Sequence, residues 1–465
     1  MKTIIIWYRN DLRIHDHPTL AQAIKDADCV IPIFILDDTF LFGDRSSANR
    51  NRFLLECLKD LKQSLIDRGS NLYIRRGRAE EQLQQLAEEV NATAVYYTAE
   101  YSPDAVKQSE VVAAHLAEHG IEIRAFDGQL IVDDLRGLRT KAGTIHKIFT
   151  PFWRNWQTIP RRDIADTPSK IASPSNITIG ALPALKDIGK QTELSPNVAT
   201  GGEAVARQKL EEFLQDAVHH YHKTNNDVAK NGTSRLSPYL HFGCLSAREI
   251  ETMLPDSEGA QAWHRQLCWR DFYHYVLFYS PNNMNQEVQE KYRHLSWNNS
   301  KKLLQAWQDG RTGYPIVDAA MRQLKAEGWM HNRARLIVGS FLTKDLWIDW
   351  RLGERYFMTM LLDGDDANNN GNWQWIASVG VDPAPVFRRL YNPSSQQKNY
   401  DPNGAYVRQF VPELQNVPDK YLSEPWTMPD DVQRDAGCII GEDYPRPVVD
   451  HKQARHAALD QFYSA

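Results

Sequence analysis

The segment Asp363–Gly371 holds three acidic and three amide side chains within nine residues, between an apolar stretch and the run Trp373–Trp375. A calcium loop would need an acidic residue at its twelfth position, where this chain has Gln374. A solvated loop is a second reading, although the flanking indoles favour burial. In a third, the carboxylates accept hydrogen bonds from sugar hydroxyls or a protonated ring nitrogen of a cofactor. Asn369 suits such a ring because an amide both donates and accepts.

A run of small hydroxyl side chains surrounds one arginine in Gly232–Pro238, GTSRLSP. Backbone N–H groups and hydroxyls that come just before a helix can bind a pyrophosphate. The simpler alternative is an ordinary helix start, with Ser237 as the N-cap and Pro238 as the first helical residue. The segment by itself is compatible with both readings.

The stretch Trp263–Tyr273 has helical spacing, and it places an amide, an arginine and two aromatic rings on one face. These side chains are Gln266, Trp269, Arg270 and Tyr273. Such a face suits a flat base that is stacked and hydrogen-bonded along its edge. The alternative is an amphipathic helix whose aromatic residues belong to the core. Met330–Arg335 offers the same choice, with Asn332 and Arg335 on one face.

Strands and helices alternate over the first part of the chain, which predicts a parallel, doubly wound, Rossmann-like sheet. The first predicted strand is a continuous apolar run, typical of a strand buried on both faces. The predicted strands are Ile4–Tyr8, Cys29–Leu36, Asn71–Arg75, Ala94–Thr98 and Glu122–Phe126. The predicted helices are Thr19–Lys25, Asn49–Arg68, Glu80–Val90 and Ala105–His119.

The residue composition and periodicity of the rest of the chain divide it into two further parts. Residues 160–200 are rich in Pro, Ser, Thr and Asn with weak periodicity, and from Gly202 onward the pattern is helical. One helix should begin at Pro315 and end at Gly328. We therefore predict an α/β domain over residues 1–130, a long linker over 131–200 with room for one short helix within 160–200, and an all-α domain over 201–465.

The composition excludes several classes of protein. The net charge of −5 gives no general affinity for nucleic acid, so any DNA site must be a local basic face. The five cysteines are scattered without a CxxC pair, which favours reduced core thiols over disulfides or a metal site. No apolar run is long enough for a membrane helix or a signal peptide, so we expect a cytoplasmic protein.

Several segments together resemble the DNA photolyase/cryptochrome family over nearly the whole length of the chain, most closely its class I-type cyclobutane-dimer branch. Each segment alone is a weak signal, but they occur in the order and spacing of the family. The matching segments are Trp7–Leu20, Gly232–Gly243, Trp269–Tyr273, Thr312–Leu324, Gly328–Leu336 and Asp363–Trp375.

The resemblance implies an N-terminal α/β antenna domain, a linker and a C-terminal helical domain that binds FAD in a folded shape. It assigns the ambiguous segments to that cofactor. The matched FAD contacts are Tyr221, Thr233, Ser234, Arg235, Leu236, Ser237, Trp263, Arg270, Asn332, Arg335, Asp363, Asp365 and Asn369.

Two further assignments concern electron transfer. Asn369 matches the residue that faces the redox-active ring nitrogen of the flavin, where a neutral amide does not repel a reduced, anionic ring. Trp373, Trp350 and Trp297 match the family's chain of three tryptophans from the flavin to the surface, which refills an oxidised flavin. That reaction is separate from repair.

The implied substrate is ultraviolet-damaged DNA, whose pyrimidine dimer flips out of the duplex into a pocket. Light would drive an electron from reduced FAD into the dimer, the ring would split, and the electron would return. Trp269 would stack on the dimer, with Gln266 and Asn332 at its polar edge. The other predicted DNA contacts are Arg333, Trp375, Arg388 and Arg389.

Gln266 departs from the family pattern, because many cyclobutane-dimer enzymes carry a glutamate there and (6-4) photolyases often a glutamine. The (6-4) enzymes also carry two neighbouring histidines, whereas His331 is followed here by Asn332. We therefore favour the cyclobutane dimer, with (6-4) repair or a signalling cryptochrome as alternatives. An electron-transfer flavoprotein is a further rival. The chain ends at Ala465, so we expect no long signalling tail, and we expect a monomer without an obligate protein partner.

The family resemblance also implies positions for a second, light-harvesting chromophore, and the residues there match no one kind of chromophore fully. Folate-binding relatives carry an acidic residue where this chain has Ala105, which disfavours methenyltetrahydrofolate. Deazaflavin-binding relatives carry an acid at the position of Glu100, but their lysine on the helical domain is His241 here. The expectation is a deazaflavin antenna, a flavin antenna or none.

Overall fold

The N-terminal domain is built on one parallel sheet. The computed structural model describes residues 2–174, 177–190, 192–230 and 232–465. The strands are β1 Thr3–Tyr8, β2 Cys29–Leu36, β3 Tyr73–Arg76, β4 Ala94–Thr98 and β5 Glu122–Phe126, in the order β3-β2-β1-β4-β5. Every residue of β1 and β2 is buried, because helices cover both faces of the sheet. The predicted doubly wound fold is confirmed.

Five helices accompany the sheet in its described residues; the ends of four lie close to the predicted ones, and the short second helix was not predicted. The five are α1 Pro18–Asp26, α2 Asp38–Leu41, α3 Ala48–Ile66, α4 Ala79–Val90 and α5 Pro103–Glu118. The third strand begins two residues later than predicted. The side chain of Asn71 accepts a hydrogen bond from the backbone N–H of Leu72 at 2.9 Å. That local turn starts the strand at Tyr73.

In the residues that the structure describes, the connection between the domains is mostly irregular and has one α-helix, α6 Phe149–Trp156, which lies before the 160–200 segment in which a short helix was considered. The later part of the connection lies along the sheet domain. The carbonyl of Ile179 accepts from the N–H of Ile74 at 2.7 Å, and that of Ala172 accepts from Val30 at 2.8 Å. These bonds satisfy backbone groups at the strands that would otherwise be exposed.

The C-terminal domain is entirely helical in the part that the structure describes. Its first helices are α7 Glu203–Gln215, α8 Ala217–Thr224, α9 Ser237–His241, α10 Ala247–Met253 and α11 Glu258–Tyr279. The central ones are α12 Lys301–Gln308, α13 Pro315–Glu327, α14 Asn332–Ser340, α15 Trp350–Met360 and α16 Asp366–Ala377. The last ones are α17 Pro393–Tyr400, α18 Ala405–Phe410, α19 Asp419–Leu422, α20 Asp430–Ala436 and α21 His451–Tyr463. Helix α13 has the predicted ends, and Gly328 caps it at a φ of +61°.

Two findings concern expectations from composition. All five cysteines lie among the described residues, where they are buried and form no disulfide. Among the described residues, no helix is both long and apolar enough to cross a membrane, and no group of side chains could hold a metal ion.

A buried carboxylate joins α11 to the connection between the domains. Asp271 Oδ2 accepts from the backbone N–H groups of Ile131 and Val132 at 3.2 and 3.4 Å, and from Trp156 Nε1 at 2.9 Å. Its other oxygen, Oδ1, is buried without a hydrogen-bond partner. Burial raises the pKa of Asp271 to about 6, despite the nearby Arg270. The protonated form is therefore the better tolerated one in the folded protein.

This pKa predicts a pH dependence of stability. A carboxyl whose folded pKa is raised stabilises the fold most below its unfolded pKa, and this contribution is lost as pH rises through about 6. Above pH 6 the loss is on the order of 3 kcal/mol. Asp271→Asn should therefore gain stability relative to the parent at pH 8 and not at pH 4. Chemical unfolding of both proteins at pH 4 and pH 8 measures their free energies of unfolding. The prediction is contradicted if the variant differs from the parent by the same amount at both pH values.

Candidate functional site

One cavity of about 490 Å³ opens in the helical domain and brings the predicted segments together. Its walls come from α8, α9, α11, α14, α15 and α16 and from the loops before α9, α14 and α16. Every residue predicted to contact FAD lies on these walls, and so do Gln266, Trp269, Trp373 and Trp375. The positions are therefore grouped in space, while the role of each side chain stays a prediction.

The start of α16 forms an acidic end of the cavity. Asp365 is the N-cap of this helix, and its Oδ1 accepts from the backbone N–H of Asn368 at 2.7 Å. Burial alone would raise the pKa of Asp365, but His274 and His241 hold it well below its usual range. Asp363 forms an ion pair with Arg335 at 2.8 Å. Fixed, ionised carboxylates of this kind can accept hydrogen bonds from sugar hydroxyls.

The hydroxyl-rich loop reaches the cavity in an unusual backbone conformation. Arg235 has a φ of +51°, pairs with Glu327 at 3.1 Å and lies over the ring of Trp329 at 4.3 Å. The simple serine cap is not formed, because α9 already begins at Ser237 and its N-cap, Leu236, makes no side-chain hydrogen bond. The loop instead presents hydroxyls and a cation to the cavity.

Asn369 is positioned by two hydrogen bonds from its amide nitrogen. Nδ2 donates to the backbone carbonyl of Glu354 at 3.0 Å and to Glu354 Oε1 at 3.0 Å. An amide nitrogen carries only two hydrogens, so Oδ1 is the atom left for the cavity. The sequence predicted an amide that could donate or accept, and the structure presents an acceptor.

The mouth of the cavity has an aromatic wall. Trp269 stacks on Phe149, with ring centroids 3.7 Å apart and planes 5° from parallel. Phe149 belongs to α6, more than a hundred residues earlier, and was not predicted as part of the site. One face of Trp269 is therefore covered by protein, while the indole still lines the cavity beside Gln266. Both Gln266 and Asn332 are exposed.

The predicted phosphate contacts separate into two kinds. Arg388 is exposed, and Arg333 is half-buried, donates to Asn226 and lies over Tyr400. Arg389 is only 2% exposed, so the structure does not support a direct phosphate contact for it. Its guanidinium pairs with Asp382 at 2.5 Å and lies 4.2 Å from the ring centroid of Trp375. Arg389 thus supports a wall of the cavity.

The three matched tryptophans differ in their burial and in their neighbours. Trp373 lines it and packs so tightly on α15 that a Cβ at Gly353 would lie 2.2 Å from its ring. Trp350, one turn earlier on α15, is fully buried and donates from Nε1 to Glu287 at 3.2 Å. Trp297 is half-buried near the surface.

Two further indoles adjoin this set and were not singled out from the sequence. Trp347 lies 4.8 Å from Trp297 between ring centroids and is itself half-buried. Trp307 lies 6.1 Å from Trp373 and is fully buried. Only tertiary structure brings these rings together.

A second cavity, also of about 490 Å³, lies where β1 and β2 end and the helical domain begins. Ala105, Glu100 and His241, the positions considered for an antenna chromophore, all line it. Glu100 is already engaged, because Arg9 Nε lies 3.1 Å and Asn10 Nδ2 lies 2.9 Å from its carboxylate. His241 and Asp365 line both cavities.

Comparison with known proteins follows the same two-part division. Residues 4–171 match the family model described as DNA photolyase, and residues 263–464 match the FAD binding domain of DNA photolyase. A curated Streptomyces griseus protein, named deoxyribodipyrimidine photo-lyase, is 39% identical over 98% of each chain.

Three solved structures share the whole fold. A class III photolyase from Agrobacterium tumefaciens has a TM-score of 0.92 and 34% identity over 100% of this chain and 98% of its own. A Synechocystis cryptochrome has a TM-score of 0.90 and 29% identity over 99% of each chain. A Sulfolobus tokodaii photolyase described with two FAD molecules has a TM-score of 0.84 and 31% identity over both whole chains.

The parallel sheet, the connection across it and the helical cavity define a two-domain, FAD-binding protein of the photolyase/cryptochrome architecture. Within that class, the chain belongs to the DNA photolyase family.

Proposed function

We propose that this protein is a light-dependent DNA repair enzyme, a deoxyribodipyrimidine photo-lyase that splits cyclobutane pyrimidine dimers. The observation that carries the proposal is the cavity of about 490 Å³ in the helical domain. Its inner walls hold the residues predicted for FAD, and its mouth holds Trp269, Gln266 and Trp375. A flipped base entering the mouth would therefore meet the cofactor.

The chemistry of the cavity fits FAD. The acidic end at Asp363 and Asp365 suits sugar hydroxyls, and the hydroxyl-rich loop around Arg235 suits a pyrophosphate. The Oδ1 of Asn369 suits a ring nitrogen that carries a proton. When bound and reduced, FAD supplies the electron that light drives into the lesion and receives it back after the ring splits. Residues of this chain hold it, exclude water and position the lesion.

The mouth of the cavity suits a pyrimidine dimer from damaged DNA. Trp269 offers a rigid face because Phe149 supports it from behind. Gln266 and Asn332 can exchange hydrogen bonds with the base edges, since amides both donate and accept. The exposed Arg388 and the half-buried Arg333 would contact phosphates, and such contacts supply affinity without sequence preference. Binding should therefore be sensitive to salt despite the net charge of −5.

The finer assignments belong to the same proposal. Trp373, Trp350 and Trp297 carry electrons from the surface to an oxidised flavin. The second cavity holds an antenna, for which a flavin or deazaflavin suits the site better than a folate because Ala105 offers no carboxylate. The protein is a cytoplasmic monomer with domains at 1–130 and 201–465 and a linker over 131–200. Its subclass is not fixed, since one similar structure is described as class III.

Gln266 provides the test of lesion preference. If the substrate is the cyclobutane dimer, the amide holds its carbonyl by a neutral hydrogen bond worth about 0.5–1.5 kcal/mol. Gln266→Glu should then preserve or improve cyclobutane-dimer repair, because a protonated carboxyl can donate a stronger bond to the developing charge. The assay irradiates defined cyclobutane and (6-4) duplexes with enzyme and counts restored pyrimidines by chromatography.

Other results of that assay point to other functions. If parent protein restores only the (6-4) lesion and Gln266→Glu loses that activity, the substrate assignment is wrong. If neither lesion is restored while bound flavin still responds to light, the protein is a photoreceptor of the cryptochrome kind, whose fold it shares. Gln261→Glu is a matched control, since Gln261 is also exposed on α11 but does not line the cavity.

A further inference from the structure

An arginine of the sheet domain contacts two helices, α15 and α16, that also contribute residues to the wall of the helical cavity. Arg45, just before α3, forms an ion pair with Asp366 of α16, and its Nη2 lies 3.2 and 3.4 Å from the two carboxylate oxygens of Glu354 on α15. The backbone carbonyl of Arg45 accepts from Arg50, which also donates to Leu361 at 3.0 Å. The arginine is thus fixed in place from both domains.

The contact continues from Glu354 to Asn369. The Glu354 side chain is only 3% exposed, and its Oε1 accepts both from Arg45 and from Asn369 Nδ2. This second bond turns the amide nitrogen toward Glu354 and leaves Oδ1 for the cavity. Arg45, Glu354 and Asn369 are therefore connected by hydrogen bonds across the two domains. Arg45 lines the second cavity, and Asn369 lines the proposed flavin site.

We propose that Arg45 is a positioning residue for the flavin site, which keeps Glu354 ionised and so holds Asn369 with its carbonyl oxygen toward the cofactor. The inference rests on the proposed function for the identity of the cofactor. The inference extends the proposed function, because it places a residue that controls the flavin chemistry in the sheet domain, outside the helical cavity.

The electrostatics around Glu354 explain why an arginine is needed. Burial raises the pKa of Glu354, and the neighbouring carboxylate of Asp366 raises it further, while Arg45 is the strongest opposing charge. Arg355, on the same helix, opposes the rise more weakly. Without Arg45, a buried carboxyl beside another carboxyl binds a proton more readily.

A protonated Glu354 would change the hydrogen bonding of its side chain, while its backbone carbonyl still accepts from Asn369 Nδ2. The new side-chain O–H can donate to Asn369 Oδ1, which favours rotation of the amide away from that carbonyl and presents Nδ2 to the cavity. The cofactor would then meet a donor in place of an acceptor. An acceptor stabilises a ring nitrogen that carries hydrogen, and a donor stabilises one that does not, so the pH dependence of flavin reduction should change.

The test compares Arg45→Met with Arg45→Lys in the full-length protein. Lys190→Met is the matched control, because Lys190 pairs with Asp44, the neighbour of Arg45, at 2.7 Å but does not contact Glu354. Infrared difference titration follows the protonated carboxyl band of Glu354, assigned by its absence in Glu354→Gln. We expect this titration to shift to higher pH in Arg45→Met, to be largely restored in Arg45→Lys, and to be unchanged in Lys190→Met.

A second readout is the reduction potential of the bound flavin as a function of pH. Arg45→Met should change this profile over the range in which Glu354 titrates, and Arg45→Lys should restore it. If the carboxyl titration and the potential both match those of Lys190→Met, the inference is overturned. If parent protein holds no flavin, the proposed function fails, but the infrared titration still decides whether Arg45 controls Glu354.

Discussion

Replacing Trp373 by Phe should remove most of the light-driven reduction of bound flavin while leaving the flavin in place. Of the three tryptophans matched to the electron-transfer chain, Trp373 lines the cavity, and it is only 3% exposed. Phe fills much of the same space against Gly353, but its ring is far harder to oxidise. Photoreduction is measured as the bleaching of flavin absorption under blue light with a thiol reductant. The absorption of the same sample in the dark measures how much flavin the variant still binds.

Two further substitutions identify the route beyond Trp373. Trp350→Phe should slow photoreduction strongly if the three matched tryptophans carry the electron, whereas Trp307→Phe should not, although Trp307 lies 6.1 Å from Trp373. Trp426→Phe, whose indole packs on Tyr314 away from the cavity, is the control for a generic loss of indole. Photoreduction that survives Trp373→Phe unchanged would show that the electron enters by another path.

Trp269→Ala should weaken binding to a thymine-dimer duplex by about 1–3 kcal/mol, roughly fivefold to 150-fold in Kd. The indole offers a flipped base a face that Phe149 holds rigid, and alanine removes that face. Binding to undamaged duplex should change little, because phosphate contacts dominate it. Titration of both duplexes at one stated salt concentration measures the difference.

Two variants control for the loss of packing around Phe149. Trp269→Phe keeps an aromatic face and should retain most of the affinity for damaged DNA. Trp153→Ala removes a neighbouring ring, 6.5 Å from Phe149, that does not line the cavity. Equal weakening by Trp153→Ala and Trp269→Ala, or equal loss for damaged and undamaged duplex, would contradict stacking on a flipped lesion.

The sequence predicted the sheet well because its strands are signalled locally. The buried run of β1, the apolar β2 and the helices between them each have a period that is visible within ten to twenty residues. The ends of α13 were likewise predictable, since Pro315 and Gly328 mark them directly. Resemblance to a family then grouped distant motifs into one site, and the cavity contains them.

What the sequence did not reveal depends on contacts between distant segments. Nothing in the chain distinguishes the exposed Arg388 from the buried Arg389, because the difference arises from Asp382 and Trp375 on other elements. Phe149 lies in a segment predicted as linker, so its stacking on Trp269 had no local signal. The orientation of Asn369 depends on Glu354, and its hydrogen bonds could not be inferred from its neighbours in sequence.

The central claim is that this cavity repairs cyclobutane dimers with light. The most direct measurement incubates the purified protein with a duplex that contains one defined thymine dimer, in blue light and in the dark, and quantifies restored thymines by chromatography. We expect multiple-turnover restoration in the light, none in the dark, and none for the (6-4) lesion in either condition. Absence of light-dependent restoration by protein that holds reduced flavin and binds the damaged duplex would contradict the account.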